Sequence, residues 1–304
     1  MKTSIVSRIA PTPSGYLHIG NAFNFLLTAL LVDLMEGHLH LRIDDFDSSR
    51  LKRDALEDIF VQLDWLGIEY DSGPSGPDEF FSTYSQQLRK ENYFDAIELL
   101  RKDKHIYACE CSRSIIRKFS NNGTYPGNCR YKNIRLQKNL SWRIRVPNET
   151  FIKYKTLMNY TEKIKVDDSI GDFVIKRRDG LPAYQIISLI DDLERGVNLI
   201  VRGRDLLAST GAQLFLAKCL KRDLFLDSHF VHHELIKNNL GKKLSKQFGD
   251  LSLKVLNENN YSPTFVFRET AKMLNLPFHE IITLDHLKES FKKAINEKQI
   301  LKKF

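Results

Sequence analysis

The first 66 residues change their hydrophobic period three times, and that alternation limits the fold more than any other feature of the chain. Ser4 to Ile9 reads as a short strand, ended by the proline-rich turn Pro11-Thr12-Pro13-Ser14-Gly15. Asn21 to Met35 is a long apolar-faced segment of helical spacing, with Gly37 as its C-terminal residue. His38 to Ile43 then alternates, with Leu39, Leu41 and Ile43 on one side. Arg53 to Leu66 carries Leu56, Ile59, Phe60, Leu63 and Leu66 at helical spacing, and Gly67 stops it. Strand, helix, strand, helix predicts an α/β fold, a parallel sheet with helices on both faces.

Near residue 105 the character changes. Residues 105–165 hold three of the four cysteines, an Asn- and Gly-rich loop and the alternating strand Trp142 to Val146, and read as a small insertion with its own staple. Strands are expected again at Phe173 to Arg177, Tyr184 to Ile190 and Leu199 to Val201, with a hairpin turn at Asp179-Gly180. Ser209 or Thr210 is expected to cap a helix running to Leu220. The last 55 residues are helix-like, and their basic end, Lys288 to Phe304, reads as a solvated amphipathic helix rather than a binding arm. The expected division is therefore 1–104 and 166–235 as two halves of the α/β domain, 105–165 as the insertion and 236–304 as a lysine-bearing loop with a helical C-terminal region.

At 304 residues, with 42% hydrophobic and 28% charged, the chain can bury a core and has room for two domains of roughly 150 residues. Its longest nearly apolar stretch, Phe25 to Val32, is far shorter than the span of about 20 residues that crosses a bilayer. Residues 1–8 lack the apolar core of a secretory signal. A cytoplasmic location with no membrane partner is expected, and reduced thiols with it, which leaves packing, catalysis or metal for the cysteines. Cys219, in an apolar segment, is assigned to packing. Lys and Arg number 46 against 38 Asp and Glu, a net +8 that suits a polyanion such as nucleic acid or describes an ordinary basic surface.

The chemistry concentrates in two segments. In Pro11-Thr12-Pro13-Ser14-Gly15-Tyr16-Leu17-His18-Ile19-Gly20-Asn21, a strand feeds a tight turn that opens onto a helix start. Backbone N–H groups there suit a phosphate, Gly20 allows close approach, and the His18 imidazole can donate to phosphate oxygens as charge builds. Gly241-Lys242-Lys243-Leu244-Ser245-Lys246-Gln247 offers ammonium groups, compact point charges suited to phosphate, and read alone is equally a solvated basic loop. Cys109-Glu110-Cys111 followed by Cys129 is either a zinc site awaiting a fourth ligand or a set of buried thiols. His229, His232 and His233 have no carboxylate-rich motif beside them; they read as a strand leading to the lysine loop, with His232 near the nucleotide.

The first segment resembles the "HIGH" signature, and the second the "KMSKS" loop, of class I aminoacyl-tRNA synthetases. Ser7 to Gly15, Leu41 to Asp47, Leu63 to Ile68, Lys176 to Tyr184 and Ile200 to Leu206 resemble the glutamate branch of that family, a likeness running from about residue 4 to 250. The resemblance implies a Rossmann-like catalytic domain in which His18, Gly20, Lys243 and Lys246 serve ATP chemistry. It implies that Arg8, Ile9, Ala10, Pro11 and Thr12 line a glutamate pocket with Tyr184 and Arg202 opposite. Asp44 stands where the family usually has Glu to receive the α-ammonium group. A guanidinium is the natural partner of a carboxylate, which it can bind through two hydrogen bonds. The family's zinc pattern maps onto Cys109, Cys111, Tyr125 and Cys129, with His105 as the alternative to Tyr125. Glutamate would attack the α-phosphorus of ATP, with Mg²⁺ accompanying the nucleotide, to give glutamyl-adenylate.

The chain stops some 55 residues after Lys246, and its length resembles the short paralogues that transfer glutamate to queuosine in the anticodon of tRNA(Asp). The expected partners are ATP, L-glutamate and tRNA(Asp) bearing queuosine, and the expected state is a monomer. Two rivals remain at this point, a truncated enzyme charging the tRNA 3′ end and a catalytically silent tRNA-binding module.

Overall fold

The computed structural model describes residues 4–120, 124–157, 160–234 and 252–297. The chain divides into two compact units, Met1–Leu88 with Leu199–Arg204 and Val231–Phe304, and Arg89–Asn198 with Asp205–Phe230.

The first unit is built on parallel pairing. Strand β1 (Val6–Ile9) runs parallel to β2 (His38–Leu41), in register from Val6↔His38 to Ile9↔Leu41. On its other side β1 pairs in parallel with β8 (Leu199–Gly203) through Ser7↔Leu199. Helix α1 (Ile19–Leu34) connects β1 to β2 and is buried almost all round, through Phe23, Phe25, Leu26, Leu27, Leu30 and Leu31. That profile belongs to a helix at the centre of a core, not at its surface. Helices α6 (Thr264–Leu274) and α7 (Leu284–Asn296) pack against it from the C-terminal region. Helix α2 (Arg53–Trp65) buries Leu56, Ile59 and Leu63, as its spacing predicted.

Gly37 has a different task from the one expected. Helix α1 ends at Leu34, and Glu36 takes the left-handed conformation (φ 48°). Gly37 is instead the point of close approach, where a Cβ would lie 2.8 Å from the carbonyl oxygen of Ile5.

The second unit opens with α3 (Lys90–Lys102), which packs on α4 (Tyr184–Glu194). The wholly buried Tyr93 hydroxyl donates to Asp191 at 2.6 Å, and Arg89 pairs with the same carboxylate at 3.1 Å, so this buried carboxylate is compensated in place. The strand expected at Tyr184 to Ile190 is thus a helix. A run as apolar as Ile186-Ile187-Ser188-Leu189-Ile190 looks alike in a buried strand and a buried helix, and its 11-residue length decides for the helix. Helix α5 (Leu207–Cys219) begins before Ser209 and Thr210, which lie buried inside it and do not cap it. Strand β5 (Phe151–Thr156) pairs antiparallel with β6 (Thr161–Lys165) and parallel with the start of β9 (His229–His233). Gly211 of α5 lies so close to β6 that a Cβ would be 2.9 Å from Ile164 Cγ2.

A separate antiparallel sheet joins β3 (Ile106–Cys109), β4 (Ser141–Ile144) and β7 (Val174–Lys176). Asp172 ties this sheet together, accepting the Tyr107 hydroxyl at 2.5 Å and the Val146 N–H at 2.8 Å. Among the described residues no helix is long and apolar enough to cross a membrane.

Candidate active site

His18 is the N-cap of α1. Its Nδ1 accepts the Gly20 N–H at 3.0 Å, while Asn21 Oδ1 accepts the His18 N–H at 3.0 Å, a reciprocal cap made by two side chains. A nitrogen that accepts a hydrogen bond carries no proton, so the neutral ring holds its proton on Nε2. Desolvation lowers the His18 pKa from its ordinary value, against a smaller opposing backbone hydrogen bond, which favours this neutral form. Of the backbone N–H groups at this helix start, that of Gly20 is engaged by His18.

Beside this turn, residues 9–13 run along residues 42–52. The Arg42 N–H donates to Ile9 O at 3.0 Å, Asp44 N–H to Pro11 O at 2.9 Å and Lys52 N–H to Pro13 O at 2.8 Å. The backbone thereby brings Asp44 to Ile9, Ala10, Pro11 and Thr12. Arg8, on β1, is 5% exposed, and Arg202, on β8, is 4% exposed. The parallel pairing Ser7↔Leu199 puts the strand that carries Arg202 directly beside the one that carries Arg8. Arg202 and Arg204 also add to the effect of burial on His232, which is pushed down to about 3 and is therefore neutral at ordinary pH. Asp44 is gripped by Arg42, whose Nε and Nη2 donate to its two oxygens at 2.7 and 3.2 Å. Tyr184 lies in the second unit, at the first position of α4, and is 45% exposed.

Lys243 and Lys246 lie outside the described residues. The described chain on either side of them is held at α1. His233 Nε2 meets Asn24 Oδ1 at 3.1 Å and its ring stands edge-on to Phe23 at 4.9 Å. On the far side Ser252 forms a β-bridge with His18, and Leu253 N–H donates to Leu17 O at 2.8 Å.

In the second unit the cysteine motif closes into a donor cluster. The sulfurs of Cys109, Cys111 and Cys129 lie within 4.8 Å of one another, with Cys111 and Cys129 3.5 Å apart. Tyr125 Oη sits 3.3 Å from Cys109 Sγ and 3.6 Å from Cys111 Sγ. A tetrahedral zinc with Zn–S bonds of about 2.3 Å requires sulfurs roughly 3.8 Å apart and an oxygen roughly 3.6 Å from each. The four donors fit such an ion. The His105 imidazole is not gathered with the thiols, whereas the Tyr125 hydroxyl is. Burial pushes the Tyr125 phenol well up and the Cys111 thiol up to about 11. Burial also acts on Cys129, yet the Tyr125 hydroxyl and neighbouring donors hold it below the ordinary thiol range. The Arg143 guanidinium lies 3.8 Å from the Tyr125 ring centre.

One charge pattern of this region has no counterpart among the motifs read from the sequence. From Cys111 to Asn148 there are nine Lys and Arg and not one Asp or Glu. Arg113, Arg117, Lys118, Arg135 and Lys138 are exposed, as are Phe119 and Tyr131, at 56% and 83%. Counting charge by segment would have found it.

Comparison with known proteins gives the family and the fold. The family profile "tRNA synthetases class I (E and Q), catalytic domain" matches residues 4–303. A protein of Symbiobacterium thermophilum named Glutamyl-Q tRNA(Asp) synthetase is 33% identical over 289 residues, covering 90% of this chain and 87% of its own. A glutamate–tRNA ligase of Desulfosudis oleivorans is 32% identical over 269 residues, 85% of this chain, and the chain spans only 54% of that ligase's length. The crystal structure of a glutamate-tRNA synthetase from Elizabethkingia anophelis superposes with a TM-score of 0.77 at 22% identity, covering 96% of this chain and 66% of that one, and shows the shared fold.

Proposed function

We propose, from the premise that the chain belongs to the class I (E and Q) tRNA synthetase catalytic-domain family, that it activates L-glutamate with ATP and transfers it to queuosine in the anticodon of tRNA(Asp). The observation that carries the first step is the anchoring of both flanks of the lysine segment at α1. Six peptide steps lead from Lys246 to Ser252, a reach of at most roughly 20 Å, and Ser252 is bridged to His18 itself. An imidazole N–H on His18 together with the ammonium groups of Lys243 and Lys246 is the donor set that the expulsion of pyrophosphate calls for.

In this reading Arg8 and Arg202 bind the carboxylates of glutamate, and the family resemblance assigns Tyr184 to the same substrate. Asp44 receives the α-ammonium group. The glutamate carboxylate attacks the α-phosphorus; the bond to the bridging oxygen breaks and pyrophosphate leaves with the electron pair. His18 Nε2–H, Lys243 and Lys246 meet the charge that develops. A hydroxyl of the queuosine diol then attacks the acyl carbon, and AMP departs. Mg²⁺ with ATP would neutralise phosphate charge, and zinc held by Cys109, Cys111, Tyr125 and Cys129 would brace the insertion.

Queuosine as acceptor is supported by likeness to several proteins named Glutamyl-Q tRNA(Asp) synthetase across 80–87% of their length. The basic, aromatic-bearing stretch from Cys111 to Asn148 suits the tRNA. Similarity to glutamate–tRNA ligases favours a second reading, charging of the 3′ end. Radiolabelled glutamate, ATP and queuosine-bearing tRNA(Asp), followed by nuclease fragmentation, separates the two. Label on the anticodon fragment is expected; label on the terminal adenosine establishes the alternative.

A further inference from the structure

Gln86 belongs to no motif, yet it is 1% exposed and makes three directed hydrogen bonds around Asp44. Its backbone N–H donates to Asp45 Oδ1 at 2.7 Å. Its side-chain oxygen accepts the Phe46 N–H at 2.8 Å, and its Nε2 donates to Asp44 Oδ1 at 3.1 Å. The amide has only one orientation open to it. A backbone N–H can only donate, so the oxygen of Gln86 must face Phe46 and the NH₂ group must face Asp44. Ser85 Oγ closes the arrangement by donating to Asp45 Oδ2 at 2.5 Å, which locks the segment carrying Gln86 to the end of β2.

We propose that Gln86 is a positioning residue for the α-ammonium group of the amino-acid substrate, acting through Asp44; this rests on the reading that Asp44 receives that ammonium. The carboxylate of Asp44 is held from two directions. Arg42, two residues away and 4% exposed, grips both oxygens, and Gln86, 42 residues away, takes Oδ1 from another side. Gln86 adds a donor from a second direction and so restricts the swing of the carboxylate about the aspartate side chain. Such fixing matters more for aspartate than for glutamate, because its shorter stem cannot bend toward a misplaced ammonium. Gln86 thus supplies orientation where the residue itself lacks reach.

The proposal separates recognition of the ammonium from recognition of the two carboxylates. Binding of glutamate and of glutarate, the same dicarboxylate without its amine, is measured by calorimetry on the full chain and on Gln86→Met, which removes the donor at nearly constant volume. Gln86→Asn, which withdraws the amide by one methylene, serves where the apolar variant folds poorly. Both variants are expected to weaken glutamate about tenfold, the scale of one hydrogen bond to a charged group, and to leave glutarate unchanged. In ATP–pyrophosphate exchange KM for glutamate rises by the same factor, while KM for ATP and kcat hold. Equal weakening of glutamate and glutarate, or retention of the wild-type preference, overturns the role of Gln86. If the wild-type chain itself binds glutamate no better than glutarate, the reading of Asp44 fails instead.

Discussion

The Gly20 N–H donates to His18 Nδ1 at 3.0 Å, so a single imidazole both caps helix α1 and presents its other nitrogen as a donor. The two duties reside on different ring atoms and can be separated. Asn is a strong N-cap but does not reach as far as Nε2. His18→Asn is therefore expected to keep the stability of the chain while lowering the exchange rate by about 10²–10³, the cost of one removed transition-state donor. His18→Ala is expected to lose the rate and also about 1 kcal/mol of stability. Denaturant titration with exchange kinetics checks this; equal stability for Asn and Ala would show that Nδ1 is not a cap.

The same bond carries a pH dependence. The His18 pKa is lowered in the folded chain, so the unfolded chain binds the proton more readily. The stabilisation is then complete above the ordinary histidine value of 6.5 and is lost as pH falls through the lower folded value. The stability difference between wild type and His18→Ala should shrink as pH falls below 6.5, measured as paired melting curves. A difference that grows on acidification would contradict the tautomer assigned here.

The donor cluster at Cys109, Cys111, Tyr125 and Cys129 should bind about one zinc per chain. Chelation is expected to raise hydrogen exchange in residues 105–148 before glutamate-dependent exchange activity declines, and Cys129→Ser should reproduce that order. Absence of zinc from purified protein by elemental analysis would remove the metal from the account.

The basic run from Cys111 to Asn148 predicts that Arg113→Gln, Arg117→Gln and Lys118→Gln together weaken tRNA binding. The salt dependence should flatten by about 0.7–0.9 in slope for each phosphate that is no longer neutralised. Adenylate formation without tRNA should not change. Unaltered tRNA affinity across a salt series would show that this face is merely solvated.

Much of this site is local, and what is local was readable. The strand, the Pro11–Pro13 turn and the start of α1 follow one another along the chain, so His18 and Gly20 could be placed from neighbouring residues alone. The cysteine spacing left a metal site and buried thiols both open, and the gathering of the three sulfurs beside the Tyr125 hydroxyl is a three-dimensional fact that spacing does not record. The helix at Tyr184 was misread because an unbroken apolar run hides its period. Gln86 was invisible for another reason: its meaning comes from a hydrogen bond across 42 residues, which no pattern of spacing records.

Glutamate-dependent exchange of radiolabelled pyrophosphate into ATP bears most directly on the central claim, that the His18 turn and the lysine segment act on one triphosphate. Wild type should exchange with glutamate. Lys246→Ala should reduce that exchange by two orders of magnitude or more, about the loss expected for a removed transition-state charge, while calorimetric glutamate binding stays within about twofold. Exchange undiminished in Lys246→Ala would contradict it.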